Sequence, residues 1–148
     1  MSEINLNALE LSTAYPRSPR ETLGGYVVAA RALDKCRAVL AGTNGEYHFG
    51  CPLDQFFFEF AGITSEAFQE FVGTGADDAA VGEWIQKNGK GLSQEEIVGW
   101  NNKMRDTRIS EMPIELQVFL EGYIPEFLPA GRVVYHWFDV YDIEEERI

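Results

Sequence analysis

GEYHFGCPLDQFFFEF, residues 45–60, sets the reading of the whole chain. It is a turn running directly into a helix start. Gly45 and Gly50 give backbone freedom, Pro52 suits a first helical position, and Cys51 falls at the N-cap with Asp54 three residues on. The predicted helix, Pro52 to about Ala61, carries phenylalanine at 56, 57, 58 and 60. Apolar side chains on that many faces predict a helix buried in a core, not an amphipathic surface helix. The same stretch places one of the two histidines, His48, three residues before one of the two cysteines.

That arrangement supports two chemical readings. A thiol at a helix N-terminus meets unsatisfied N–H groups and the positive end of the dipole, which favour a thiolate. Cys51 would then be a nucleophile and His48 its base, while Asp54 opposes the effect by competing for the same N–H groups. Alternatively, Cys51 is a small buried hydrophobe and His48, between Tyr47 and Phe49, a hydrogen-bonded rim residue. A metal reading from His48-x-x-Cys51 is weaker, since zinc sites want three or four ligands and the chain offers Cys36, Cys51, His48 and His136 plus carboxylates. We expect no metal and no cofactor.

Upstream, Ser18-Pro-Arg-Glu21 has the form of a capping box with proline at the first helical position, which predicts a helix from Pro19 to about Ala41. Leu23, Val27, Ala30, Leu33 and Ala41 would form its apolar side. Gly24 and Gly25 weaken its first turns by about 1 kcal/mol each against alanine, which implies a close packing partner. At helical spacing Asp34 and Arg37 fall on the apolar side, whereas Arg31 and Lys35 read as a solvated face. Buried charges cost several kcal/mol unless paired, so Asp34 and Arg37 should bridge each other or line a polar pocket. Asp34, Arg37, Tyr47 and Asp54 are the candidate ligand-binding residues. Arg17, Arg20, Arg31, Lys35 and Arg37 form a local basic cluster able to receive an anion.

At 148 residues, with 45% hydrophobic and 13% aromatic content, the chain has the size of one domain burying about two-thirds of its unfolded surface. Its net charge of −12 repels phosphate backbones and anionic lipid, so nucleic acid and membrane are not expected partners. MSEINLNALEL lacks the basic-then-apolar pattern of a secretory signal, and no apolar stretch is long enough to span a bilayer. We therefore expect a cytoplasmic protein with both thiols reduced.

Residues 1–17 read as an N-terminal arm anchored by Leu6, Leu9 and Leu11, and residues 18–148 as a single helical domain. After the phenylalanine helix, Gly62 and Thr64 bound a short helix closed by Gly73. Thr74 with Asp77 predicts the next capping box, ahead of Ala80, Val81, Trp84 and Ile85. Ser93 with Glu96 predicts another, and Pro113 opens a helix that Pro125 stops. Val133–Tyr141 is β-branched and aromatic, yet Trp137, Val140, Tyr141 and Glu144 share a helical face, and we favour a helix over a short β element near the C-terminus. The expected fold is all-α, with about six or seven helices around the phenylalanines and the three tryptophans.

No dinucleotide-binding, P-loop, nucleophile-elbow, HExxH or CxxC motif is present. The run YPRSPRETLGG, ARALDKCRA, AGTNGEYHFGCPLD and the later GADDAAV resembles the domain-of-unknown-function family 5069, small bacterial proteins of about this length. The resemblance covers most of the chain and implies a single intracellular domain, with no activity, ligand or catalytic residue to transfer. The expected function is binding of a small, anion-bearing molecule or a partner segment in a polar-aromatic cleft. The alternative is a small-molecule enzyme using Cys51 and His48.

Overall fold

Ser18 and Glu21 make part of the local exchange their spacing suggests. Ser18 N donates to Glu21 Oε2 at 3.3 Å and Arg20 N to Ser18 Oγ at 3.1 Å. No helix follows, because Gly24 (φ 60°) and Gly25 (φ 91°) both take left-handed backbone conformations. A two-residue turn of that kind matches strand twist, so the chain folds back as a hairpin. In the computed structural model, which describes residues 5–148, strand β1 is Thr22–Leu23 and β2 is Tyr26–Val27, antiparallel with Leu23 opposite Tyr26. This corrects both the helix start expected at Pro19 and the β element considered near the C-terminus. The hairpin lies near the N-terminus.

Helix α1 spans Ala29–Ala41. Val28 before it has φ 74°, an unusual value for a β-branched residue, with its side chain fully buried and its N–H held by Pro19 O at 2.8 Å. This bend carries the hairpin straight into the helix. Every α1 residue from Ala29 to Ala38 is buried, and β1, α2 (Pro52–Ala61) and α3 (Ser65–Val72) pack against it.

The phenylalanine helix forms where its sequence predicts. Gly62 closes α2 in the left-handed conformation, its N–H on Phe58 O. Phe57 and Phe58 meet Phe68 of α3 at ring-centroid distances of 6.5 and 5.3 Å, and Trp84 reaches Phe68 at 6.1 Å. Thr64 caps α3 through Ala67 N. Helix α4, Asp78–Asn88, is capped by Asp77 and not by Thr74, whose hydroxyl instead donates to Phe71 O. Gly24 touches α4 at Gly82, where a Cβ on Gly24 would lie 3.0 Å from the Gly82 carbonyl oxygen. The close partner expected for these glycines is found at Gly24, where it is another glycine; a Cβ on Gly25 would meet only Ile97, at 3.9 Å.

Helix α5, Gln94–Asp106, starts at the Ser93–Glu96 capping box, with Ser93 N on Glu96 Oε1 (3.2 Å) and Glu96 N on Ser93 Oγ (3.1 Å). The chain divides into two compact units, one running to Val98 and the other Gly99–Ile148. In the second, Ile109 N pairs with Tyr135 O and Trp137 N with Thr107 O, leaving a single β-bridge between Arg108 and His136. Helix α6, Ile114–Phe127, continues two residues past Pro125. Helix α7, Trp137–Glu144, buries Trp137, Phe138, Val140 and Ile143 and meets the helical expectation for this segment. Trp84 belongs to the first unit and Trp100 and Trp137 to the second, so the tryptophans are divided between two units. The described residues thus form seven α-helices and one hairpin, and no helix among them is long and apolar enough to cross a membrane.

Candidate functional site

The centre of the first unit is charged. Arg31, Asp34, Lys35 and Arg37 of α1 are 2, 6, 3 and 6% exposed, so the helix carries four ionic side chains into the interior. Desolvation on this scale requires fixed partners. Two clusters provide them, on either side of α1.

The first joins the segment just before the hairpin, α1 and α4. Arg17 donates from its backbone N and its Nε to Asp34 Oδ2, at 2.8 and 3.0 Å, and from Nη2 to Asp34 Oδ1 at 3.0 Å. Its Nη1 reaches Asp78 Oδ2 at 2.8 Å. Arg37 binds the other oxygen of Asp78 through Nη1 at 2.9 Å, while its Nη2 donates to Ala76 O at 3.0 Å. Asp34 and Arg37 therefore do not bridge each other; Arg17 and Asp78 connect them. Arg31 donates to Arg17 O at 3.2 Å and lies 5.6 Å from the centroid of the Tyr47 ring, a cation–π distance.

Burial opposes the charge of Arg17, but Asp34 and Asp78 outweigh it and hold its pKa above the ordinary arginine value. Burial likewise works against the Asp78 carboxylate, and the two guanidiniums overcome it and hold its pKa below the usual carboxylate range. Asp78 is the exposed member of the group, with 47% of its side chain open to solvent. It borders a shallow groove of about 440 Å³ lined by Leu23 and Gly24 of the hairpin turn and by Ala79, Gly82 and Gln86 of α4. Among the described residues, the Nε of the buried Arg37 has no hydrogen-bond partner.

The second cluster joins α1 to the start of α2. Lys35 Nζ lies 2.9 Å from Asp54 Oδ2 and 3.2 Å from Cys51 Sγ. Gly50 N donates to the same Asp54 oxygen at 2.9 Å, so this carboxylate reaches back beyond the N-cap. Asp54 is fully buried, and its Oδ1 has no hydrogen-bond partner among the described residues. Cys51 occupies the N-cap position, as its sequence predicts, and is partly exposed. Its thiol makes no capping hydrogen bond; Lys35 is its polar neighbour. His48 is exposed, and no hydrogen bond joins it to Cys51 among the described residues. Cys36 is fully buried, and burial, reinforced by Asp54 and opposed by Arg37, pushes its thiol up to about 12. No group of three or more His, Cys, Asp and Glu among the described residues is arranged to hold a metal ion.

Of the candidates named from sequence, Asp34 and Arg37 fall in the first cluster, Tyr47 beside it under Arg31, and Cys51 with Asp54 in the second. Sequence reasoning named Arg31 and Lys35 in the basic cluster but placed them on a solvated face, whereas both are buried, and it missed Asp78. On a helical wheel Arg31 and Lys35 lie away from the apolar stripe, so periodicity alone puts them in solvent, and the signal for their burial is compositional. Small alanines flank the charges in AARALDKCRAVLA, which lets neighbouring elements approach α1 on every side.

Residues 13–147 match the family Domain of unknown function (DUF5069). The match spans nearly the whole chain, and the chain belongs to that family. No curated protein matches it.

Proposed function

We propose that this member of the DUF5069 family binds a small molecule through a carboxylate or phosphate group, received by Arg17 and Arg37 at the edge of the groove beside the hairpin. One observation carries this reading. The carboxylate that both guanidiniums hold, Asp78, is half exposed, while each arginine keeps a second anchor behind it, Asp34 for Arg17 and Ala76 O for Arg37. An incoming anion would take the place of Asp78 on forks that stay oriented when it leaves. Guanidinium forks suit planar, bidentate anions, and orientation in advance reduces the entropy lost on binding.

Arg17 and Arg37 meet Asp34 and Asp78, and Arg31 joins them through the Arg17 carbonyl, which gathers three guanidiniums within a chain of net charge −12. A thermal-shift screen of phosphate, sulfate, dicarboxylates and nucleotides tests the reading. A ligand present at 100 times its Kd stabilises the folded state by about 2.7 kcal/mol. We expect that shift to survive Cys51→Ser and to disappear in Arg37→Ala. A ligand whose shift is the same in Arg37→Ala and wild type would overturn the proposal, as would a panel with no stabilising anion.

A second reading, an enzyme with Cys51 as nucleophile and His48 as base, draws support from the position of Cys51. It is partly open, lies at a helix start and has an ammonium 3.2 Å from its sulfur. It is overturned if Cys51→Ser and His48→Ala leave intact every activity found by substrate screening.

A further inference from the structure

Lys35, Cys51 and Asp54 form a second centre that the anion site does not use. The Nζ–Sγ distance of 3.2 Å is contact distance, and both groups are fixed, Lys35 by its buried side chain and Cys51 by the start of α2. Cys51 is partly exposed, while Lys35 and its carboxylate partner Asp54 are buried. The other cysteine, Cys36, is fully buried with its thiol held protonated, which makes it a poor resolving thiol. An oxidised Cys51 therefore has one favourable nucleophile within reach, the Lys35 amine.

We propose that Cys51 and Lys35 are an oxidative cross-linking site, in which peroxide converts them to a reversible sulfenamide that joins α2 to α1. In the first step the Cys51 sulfur attacks one peroxide oxygen. An S–O bond forms and the O–O bond breaks; the departing oxygen takes the thiol proton and leaves as water. Sulfur loses two electrons and peroxide gains them, giving the sulfenic acid. In the second step Lys35 passes one proton to Asp54 Oδ2, 2.9 Å away, and its freed lone pair attacks Sγ. The S–N bond forms as the S–O bond breaks, and the hydroxide leaves with a second amine proton as water. A small thiol reverses the link by attacking sulfur and releasing the amine.

Electrostatics favours the second step at this location. Before it the interior holds an ammonium and a carboxylate; after it both groups are neutral. A buried ion pair is thereby replaced by a covalent bond and a protonated acid, with no net charge moved into the low-dielectric interior. Asp54 Oδ1, buried and without a hydrogen-bond partner among the described residues, is the atom on which the ionised carboxylate is least compensated.

The test uses full-length Cys36→Ala protein, because a Cys36–Cys51 disulfide would have the same mass as the sulfenamide. After exposure to stoichiometric hydrogen peroxide and alkylation of free thiols, peptide mass spectrometry should find the Lys35 and Cys51 peptides joined. Their combined mass should be lower by two hydrogens, and dithiothreitol should release them. In Cys36→Ala/Lys35→Arg the link should vanish, and dimedone labelling of Cys51 should rise severalfold over the Cys36→Ala parent. Absence of the link in Cys36→Ala protein overturns the proposal, whether Cys51 stays reduced or accumulates as a dimedone adduct. That outcome does not depend on how well the Lys35 variant folds, and it leaves anion binding at Arg37 untouched.

Discussion

Breaking the Lys35–Asp54 pair from one side should be far more damaging than removing it whole. Lys35 and Asp54 side chains are 4 and 0% exposed, and their charged atoms are 2.9 Å apart. Asp54→Asn leaves an ammonium in the interior opposite a neutral amide, and Lys35→Met leaves a carboxylate with only Gly50 N to serve it. Stranding a buried charge in this way costs about 3–5 kcal/mol. With a urea slope of about 2 kcal/mol per molar, each single variant should unfold at a midpoint roughly 2 M lower than wild type. The double variant Lys35→Met/Asp54→Leu removes both charges and both desolvation costs. It should recover to within about 1 kcal/mol of wild type or exceed it. Urea unfolding followed by far-UV circular dichroism on the four proteins measures the coupling directly. Two single variants each losing less than about 1 kcal/mol would mean that the pair behaves as a solvated surface bridge, and the description of α1 as a helix carrying charged side chains into the interior would be wrong.

Three further outcomes follow from the same geometry. Asp78 has its pKa lowered in the folded state, so its contribution is present above the ordinary carboxylate pKa and is lost as pH falls through the lowered value. Asp78→Asn should therefore flatten the acid limb of a stability–pH profile below about pH 4, with a steep unchanged limb as the contrary result. Cys36 behaves in the opposite sense. Its thiol is raised to about 12, so the stability tied to it is intact below the free thiol value of about 8.5 and is lost as pH rises from there towards 12. At pH 8, a disulfide reagent should label Cys51 in the native protein and Cys36 only after denaturation. Finally, Gly24→Ala and Gly42→Ala share left-handed φ values of 60° and 74°, but only Gly24 has a backbone oxygen 3.0 Å from the added Cβ. Both should destabilise the fold by about 1 kcal/mol for conformation, and Gly24→Ala by more because the hairpin must move off α4. Equal losses would show that the Gly24–Gly82 approach carries no weight.

The parts of the fold that local chemistry dictates were legible in the sequence. Pro52 and Gly62 bounded α2, Thr64 capped α3, and Ser93 with Glu96 opened α5, because each of these signals acts within one helical turn. Where two local signals competed, the sequence misled. Ser18 N does bond the Glu21 carboxylate, but the Ser18 hydroxyl accepts from Arg20 N and Glu21 N bonds the Ser18 carbonyl; two adjacent glycines with positive φ impose a hairpin, and a cap without a following helical segment is only a turn. Pro125 was over-read as a stop; it lies near the end of α6, where few hydrogen bonds remain to be lost. In the site, helical periodicity brought Asp34 and Arg37 inside but assumed one buried face. Since α1 is covered on all sides, Arg31 and Lys35 are inside as well. Asp78, which pairs with Arg17 and Arg37, and Asp54, which pairs with Lys35, come from other helices, a pairing set by tertiary packing that no local pattern encodes.

The proposed anion site is tested most directly on the Arg37 guanidinium itself. Its Nε–H is buried and has no acceptor among the described residues, so its resonance in a ¹⁵N-labelled sample is a probe of what enters the cluster. Titration with phosphate and with a dicarboxylate should shift the Nε–H signals of Arg17 and Arg37 together and saturably, and Asp78→Asn should tighten that binding by removing the internal competitor. Signals that stay fixed throughout the titration, in wild type and in Asp78→Asn alike, would show that the two guanidiniums serve only to hold Asp78 in place.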